Sequence, residues 1–329
     1  MHKKLKSYLL VYSRIHRIFN MEITEITEIT EITKEKKRIT LSISQIAPLI
    51  GMDNYNNFPR IFCEIWRRYN PTEFREYELK LKTEGAHLAN ASEMNDIWEI
   101  DEQFGTNLLQ QVKTLNENKG KSSNEMVKLQ QDITKYINGQ NKFSDEQKEE
   151  LTKKVCSITN KNHGVNNEDA ILKEFCTLTE KTLQNEQGWV EIILENNSFA
   201  EWVIIGKYDG ITTENELVEA KMRQKGLFKK MRDYENIQVQ LYLHALGFEQ
   251  AYLVEGITKA KGEMQTYIHE LQYNDEYVKE FILERLKKFI KFFEIVISDD
   301  EKKTALSLLK GDSKREIYKY YQEEFLEVF

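Results

Sequence analysis

Short apolar, β-branched runs, Trp202 to Ile205 and Glu216 to Val218, flank the polar turn Thr212 to Asn215, a pattern that predicts two strands folded into a hairpin. The strand region extends from about Val190 to Met222, and two more strands are expected near Ala251 to Ile257 and Gln265 to Leu271. Elsewhere the apolar spacing is helical. One helix starts within His163 to Ala170, with Val165, Glu168, Leu172 and Phe175 on one stripe, and another runs from about Leu227 to Leu246. From Asp275 onward, Tyr277, Phe281, Leu286, Phe289, Phe293 and Val296 recur at helical spacing, as expected of a helix that packs over the sheet. Between Glu76 and Lys161 the chain is rich in Lys, Glu, Asn and Gln. Its scattered apolar positions (Ile97, Trp98, Phe104, Leu108, Leu109, Val112, Leu115, then Met126, Leu129, Ile133, Ile137) predict helices with solvated faces. The class is α+β.

The hairpin carries the chemistry. Gly206-Lys207-Tyr208-Asp209-Gly210 is followed, ten residues after its aspartate, by Glu219-Ala220-Lys221. Residues two apart in a strand share a face, so Glu219 and Lys221 point the same way, and folding the hairpin sets Asp209 across from them. Paired carboxylates raise each other's pKa unless a cation lies between them, and hard oxygen ligands suit Mg²⁺ or Mn²⁺. Such an ion would polarise a phosphoryl oxygen and acidify a bound water, while Lys221 positions that water or stabilises developing charge. The alternative for an isolated Asp plus Glu-x-Lys set is a surface hairpin with a cross-strand ion pair.

The flanks bear on that choice. Lys221 to Arg232 holds six basic residues (Lys221, Arg223, Lys225, Lys229, Lys230, Arg232) and no acid, in a chain whose formal net charge is −7. Phosphate contacts are expected there, with Arg223 and Lys225 as DNA-binding candidates. Gln238 and Tyr242 stand at i and i+4 on the following helix and face the hairpin; otherwise they are polar positions on a solvated face. Glu168 falls on the buried stripe of its helix, where an unpaired carboxylate is costly, which makes it a candidate third acidic ligand; its alternative is a helix-start glutamate favoured by the macrodipole.

In this order the pieces resemble the PD-(D/E)xK nuclease superfamily, and within it the lambda exonuclease and YqaJ-type viral recombinase group. The matching pieces are Gly164-xxx-Glu168, Asp209-Gly210, Glu219-x-Lys221 and Gln238-x-Gln240 with Tyr242. A fifth lies near the start, where Arg38-Ile39-Thr40-Leu41-Ser42-Ile43-Ser44-Gln45-Ile46-Ala47, ending at Gly51 and followed by Asn54-Tyr55, looks like the family's opening element. The resemblance implies a restriction-endonuclease-like αβββαβ core with helical N-terminal, inserted and C-terminal segments. It also implies Asp209 and Glu219, with Glu168, on Mg²⁺ or Mn²⁺, Lys221 as catalytic lysine, Gln238 beside it, and a DNA substrate. Arg38 and Ser44 resemble positions that grip a terminal phosphate, together with Tyr242 on the DNA side; Ser42 or Ser44 as a helix cap is the other reading. The implied activity is a 5′-to-3′ exonuclease of recombination or repair, acting at a duplex end. An endonuclease on the same core and an inactive DNA-binding relative remain open, as do a homo-oligomer and a single-strand annealing partner. The family's usual proline before Asp209 is absent, and the long polar stretch separates the opening element from the rest.

Five segments follow from this reading: a tail at 1–37, the opening helical element at 38–75, a polar helical insertion at 76–160, the nuclease core at 161–272 and C-terminal helices at 273–329. The tail begins with a basic, acid-free stretch (Lys3, Lys4, Lys6, Arg14, Arg17), either a mitochondrial presequence or an over-long start before Met21, and continues into four copies of Glu-Ile-Thr. Three cysteines (Cys63, Cys156, Cys176) without CxxC spacing argue for a reducing, intracellular compartment and against structural zinc. No apolar run approaches a membrane span, so no membrane partner is expected. Gly120-Lys121-Ser122 is not a phosphate loop, because Leu115 stands where that motif needs glycine.

Overall fold

The computed structural model describes residues 36–52, 58–83, 97, 101, 104–116, 123–259, 263–307, 321 and 323–326. The basic stretch 1–20, the Glu-Ile-Thr repeat, Asn54, Tyr55, Trp98 and Gly120-Lys121-Ser122 lie outside the described residues. In chain order the elements are β1 (Lys37–Ser42), a 3-10 turn (Ile43–Gln45), α1 (Ile46–Leu49), α2 (Phe58–Tyr69), α3 (Pro71–Thr83), α4 (Leu108–Asn116), α5 (Ser123–Asn138), α6 (Asp145–Asn166) and α7 (Glu168–Thr179). Then follow β2 (Leu183–Asn196), β3 (Ala200–Thr212), β4 (Leu217–Met222), α8 (Asp233–Leu246), β5 (Gln250–Thr258) and β6 (Met264–Gln272). A π-helical stretch (Tyr277–Leu283), α9 (Glu284–Ile297) and α10 (Asp300–Ser307) complete the described order, and the class is α+β with a mixed sheet.

The chain divides into two compact units, Met1–Ala91 with Glu191–Ile205 and Glu276–Phe329, and Ser92–Val190 with Gly206–Asp275. In the first, β1 runs parallel to the opening half of β3, from Lys37 opposite Ala200 to Ser42 opposite Ile205. α2 buries Phe58, Ile61, Phe62, Ile65 and Trp66, the i, i+3, i+4, i+7 stripe of an amphipathic helix. That stripe meets the aromatic face of α9: Phe62 lies 5.1 Å from Phe293, and Phe58 6.1 Å edge-on from Phe289. Trp202 of β3 stands edge-on to Phe293 at 5.3 Å, so the C-terminal helix does pack over this strand. The buried Trp202 N–H is satisfied by Glu294 Oε1 at 3.1 Å.

The second unit contains the rest of β3, antiparallel to β4, with β4 parallel to β5 and β5 antiparallel to β6. α7 covers one face, where Ile171, Leu172 and Phe175 pack on Val218, Ala220, Tyr252 and Val254. The approach is close enough to require Gly256, because a Cβ there would fall 2.7 Å from Ile171 Cγ1. α8 buries Ile237, Val239, Leu241 and Leu243 and ends at Gly247, whose φ of 67° suits a left-handed C-terminal stop. The polar stretch builds a small core of its own: Ile97, Leu108, Val112, Ile133, Ile137, Phe143, Leu151, Val155 and Ile158 cluster together. Among the described residues no helix is long and apolar enough to cross a membrane.

Two expected helix starts move. The helix placed at His163 to Ala170 begins at Glu168, since residues up to Asn166 finish α6 and Asn167 breaks the run with φ −122° and ψ 5°. The helix expected from Leu227 begins at Asp233. Leu227 to Arg232 is instead a loop, held where the Phe228 and Lys229 N–H groups donate to Glu255 Oε2 at 2.6 and 3.4 Å, with Lys229 at φ 54°. First-turn N–H groups need no intrahelical acceptor, so it is the left-handed backbone of Lys229 that breaks the helical course.

Candidate active site

The antiparallel register pairs Gly210 with Val218, so one residue further along Asp209 falls opposite Glu219. Position 210 faces Leu172 and Leu183, and Ala220 belongs to the core under α7. By strand alternation Asp209, Glu219 and Lys221 therefore point to the opposite face, the one α8 approaches. Asp209 Oδ2 accepts the Ala220 N–H at 2.8 Å, which pins the carboxylate to the neighbouring strand. Lys221 Nζ donates to Glu219 Oε1 at 2.7 Å, and Gln238 Nε2 donates to the same oxygen at 2.8 Å. Glu219 is only 2% exposed, yet its other oxygen, Oε2, is buried without a hydrogen-bond partner. Glu235 Oε2 is the other such carboxylate oxygen among the described residues, but its carboxylate is already neutralised by Arg223 at 2.8 Å.

The electrostatics follow from this crowding. Burial raises the Glu219 carboxyl to about 8, with Asp209 and Glu168 adding to the rise against the pull of Lys221. Glu168, half-buried at the start of α7, is raised to about 7 by burial and then by the Asp209 charge. Burial also raises Asp209 against Lys221 and the Ala220 N–H. For Lys221 burial works the other way, but Glu219 and Asp209 outweigh it and hold the ammonium charged. Acid outnumbers base in a dry place, and a cation would relieve all three carboxylates. Among the described residues no group of three His, Cys, Asp or Glu stands close enough to form a ligand set. The candidate ligands brought together are Asp209 and Glu219; Glu168 acts on them through its field. Two carboxylates fit a hard ion such as Mg²⁺, which keeps several waters and takes phosphate oxygens for its remaining places. The orphaned Glu219 Oε2 is the atom that most needs it.

Several residues lie differently from expectation. Tyr242, expected on the DNA side, is 3% exposed and donates its hydroxyl to the Lys207 carbonyl at 2.6 Å, so it braces β3 from within. The glutamines of α8 are not solvated: Gln240 donates to the Gln272 carbonyl and accepts the Asn274 N–H, each at 2.8 Å. Arg223, expected on phosphate, is buried and paired with Glu235 at 2.8 Å and Glu255 at 3.0 Å. Lys225 is exposed. In the first unit Arg38 pairs with Glu191 at 2.5 Å and Glu201 at 3.2 Å, and Ser44 Oγ lies 3.0 Å from Ser42 Oγ. The Ser42 N–H donates to Gln45 Oε1 at 3.3 Å, an arrangement of helix entry rather than of ligand capture.

Lys207 is a further residue of the site, one that the sequence motifs do not single out. Its ammonium donates to Gln187 Oε1 at 2.6 Å and lowers the raised carboxyls of Glu168 and Asp209, a second cation at the centre. Its position two residues before Asp209 on one strand face is the signal that could have found it.

No protein-family model matches the chain, and no curated protein is similar to it. Among solved structures it overlaps an alkaline exonuclease (LHK-Exo) from Laribacter hongkongensis at 15% identity and a TM-score of 0.35, over 59% of this chain and 92% of that one. A phage related exonuclease from Haemophilus somnus 129PT overlaps at 17% identity and a TM-score of 0.30, over 41% and 70% of the two chains. A third, SSO0001, gives 11% identity and a TM-score of 0.30 over 87% and 85%. Likenesses this distant establish neither the fold nor the activity of this chain.

Proposed function

We propose that the chain is a divalent-metal-dependent deoxyribonuclease of the PD-(D/E)xK type, hydrolysing DNA from a duplex end with Mg²⁺ or Mn²⁺ on Asp209 and Glu219. The observation that carries this reading is the buried Glu219 carboxylate, whose Oε1 takes both Lys221 and Gln238 while Oε2 has no partner. An unsatisfied buried oxygen costs about 1–3 kcal/mol; Glu235 Oε2, in the Arg223 ion pair, shares that lack, and what sets Glu219 apart is the like charge of Asp209 and Glu168 beside it. When bound, the ion supplies Lewis-acid polarisation of the phosphoryl oxygen and a more acidic water. The chain does the rest. Gln238 and Lys221 fix the orientation of Glu219, and the Ala220 N–H fixes Asp209. The Lys221 ammonium, kept charged by its carboxylates, donates toward the negative charge that grows on the phosphoryl oxygens as water attacks and the sugar oxygen leaves.

A second reading, an endonuclease on the same core, is favoured by Arg38. Its guanidinium is held by Glu191 and Glu201, so a terminal phosphate would have to displace two carboxylates to reach it. One experiment separates the readings. Purified protein is incubated with 5′-phosphorylated linear, 5′-hydroxyl linear and closed circular duplexes, with Mg²⁺ or chelator. Mg²⁺-dependent loss of linear duplex alone, faster from phosphorylated ends, supports the exonuclease. Cleavage of circles moves the assignment to the endonuclease, and no cleavage of any form overturns both.

A further inference from the structure

Glu255 is a buried carboxylate that the proposed chemistry does not use. It is fully buried on β5, directly opposite Lys221 of β4 in the parallel register. Its Oε1 takes Arg223 at 3.0 Å and lies 3.3 Å from His269 Nε2; its Oε2 takes the successive N–H groups of Phe228 and Lys229. The same Arg223 reaches Glu235 in the first turn of α8 and lies over the Phe228 ring, 4.2 Å from its centroid. Arg232 covers Phe228 as well, at 3.6 Å. One carboxylate thus ties together the end of β4, the loop after it and the entry to α8.

What this anchor presents is a row of cations. Lys225, Lys229 and Lys230 are exposed, and among the described residues none has a carboxylate at ion-pair distance. No acid lies between Lys221 and Arg232 to neutralise them. Exposed lysines so close along one loop repel one another, and a polyanion laid along them relieves that repulsion. The loop leaves directly from the strand that carries Glu219 and Lys221, which sets its cations next in the chain to the candidate centre. We propose that residues 224–230 form a preformed edge for the nucleic-acid backbone, and that Glu255 is the positioning residue that sets its shape. The identity of the polyanion rests on the nuclease reading; the edge itself does not.

The test is binding of a fluorescein-labelled duplex by anisotropy in Ca²⁺, at several salt concentrations between about 50 and 200 mM. Three proteins are compared: the wild type, K225A/K229A/K230A and Glu255→Gln. Each phosphate contact contributes about 0.9 to the log–log salt slope. The triple variant is therefore expected to lose about 2 to 3 in slope, and Glu255→Gln to lose slope although it keeps every lysine. In steady-state cleavage both variants should raise KM more than they lower kcat. An unchanged slope in the triple variant overturns the edge; that variant is altered only at exposed positions and does not depend on refolding the anchor. If it loses slope while Glu255→Gln, folded by circular dichroism, does not, the positioning role is overturned. Salt-dependent binding through these lysines by a protein that cleaves no DNA supports the edge and rejects the nuclease reading.

Discussion

Glu219 and Glu255 are the same residue type on neighbouring parallel strands, both almost completely buried, and their pKa values are shifted in opposite directions. Burial works against the charged form of each. At Glu255 it is outweighed by Arg223 and the Phe228 and Lys229 N–H groups, and the pKa is lowered. At Glu219 it prevails, with Asp209 and Glu168 adding like charge, and the pKa climbs to about 8. One carboxylate has a partner on each oxygen, and the other has both its donors on Oε1. Burial alone therefore does not distinguish a structural charge from a functional one; the balance of partners does.

The largest effects should come from removing acids on the unbalanced side. Asp209→Asn and Glu219→Gln keep size but lose an anionic ligand, and each should abolish Mg²⁺-dependent cleavage with the circular dichroism spectrum intact. Full activity in either folded variant would erase the difference between the clusters. Next comes Lys221→Ala, expected to lower turnover about 10²- to 10³-fold, the scale for losing a donor aimed at developing charge. Calorimetry should find metal affinity little changed; its disappearance along with activity would make Lys221 structural.

The balanced side should answer in stability instead. Arg223→Ala leaves two carboxylates buried without their guanidinium, and breaking such a set costs about 3–5 kcal/mol, readable as a lower urea midpoint. A change below about 0.5 kcal/mol, typical of surface substitutions, would place Arg223 with the free loop lysines.

Titration sharpens the contrast. Glu168 and Glu219 sit above their ordinary 4.5, so the folded metal-free protein keeps protons that the unfolded chain has released. Their contribution is therefore most favourable below about 4.5 and is lost as pH rises through about 7 to 8. In chelator the melting temperature should fall across that interval. With Mg²⁺ the trend should weaken or reverse, because the metal competes with those same protons. Identical pH trends with and without metal would show that Glu219 is not its ligand. The smallest effect expected is that of Tyr242→Phe, about 1 kcal/mol for one lost hydrogen bond to the Lys207 carbonyl, measured by urea denaturation.

The parts of this site legible in the sequence are local ones. Strand alternation places Glu219 and Lys221 on one face, and a hairpin with a short polar turn brings Asp209 opposite, so register follows from spacing alone. The spacing of Gln238 and Tyr242 likewise put both toward the hairpin, but whether Tyr242 faces DNA or braces β3 depends on the position of the Lys207 carbonyl. In the sequence Arg223 reads as one cation of a basic run because its acids lie outside that run, Glu235 12 residues on and Glu255 32 residues away on another strand. The late start of α8 follows from the backbone of Lys229, whose φ of 54° has no place in a right-handed helix, a local strain that residue type alone does not announce. The core formed by Leu108, Ile133, Phe143 and Val155 is not legible in the sequence for a related reason: its apolar positions are spread thinly over several helices and a connection and become a cluster only after folding.

The most direct test of the unbalanced cluster is a titration of Mn²⁺ into the wild type and Glu219→Gln at pH above 8, followed by the electron paramagnetic resonance signal of the free ion. The account predicts a site in the wild type that Glu219→Gln loses or greatly weakens, while Glu255→Gln retains it. Equal binding by the wild type and Glu219→Gln, or no binding by the wild type, would contradict it.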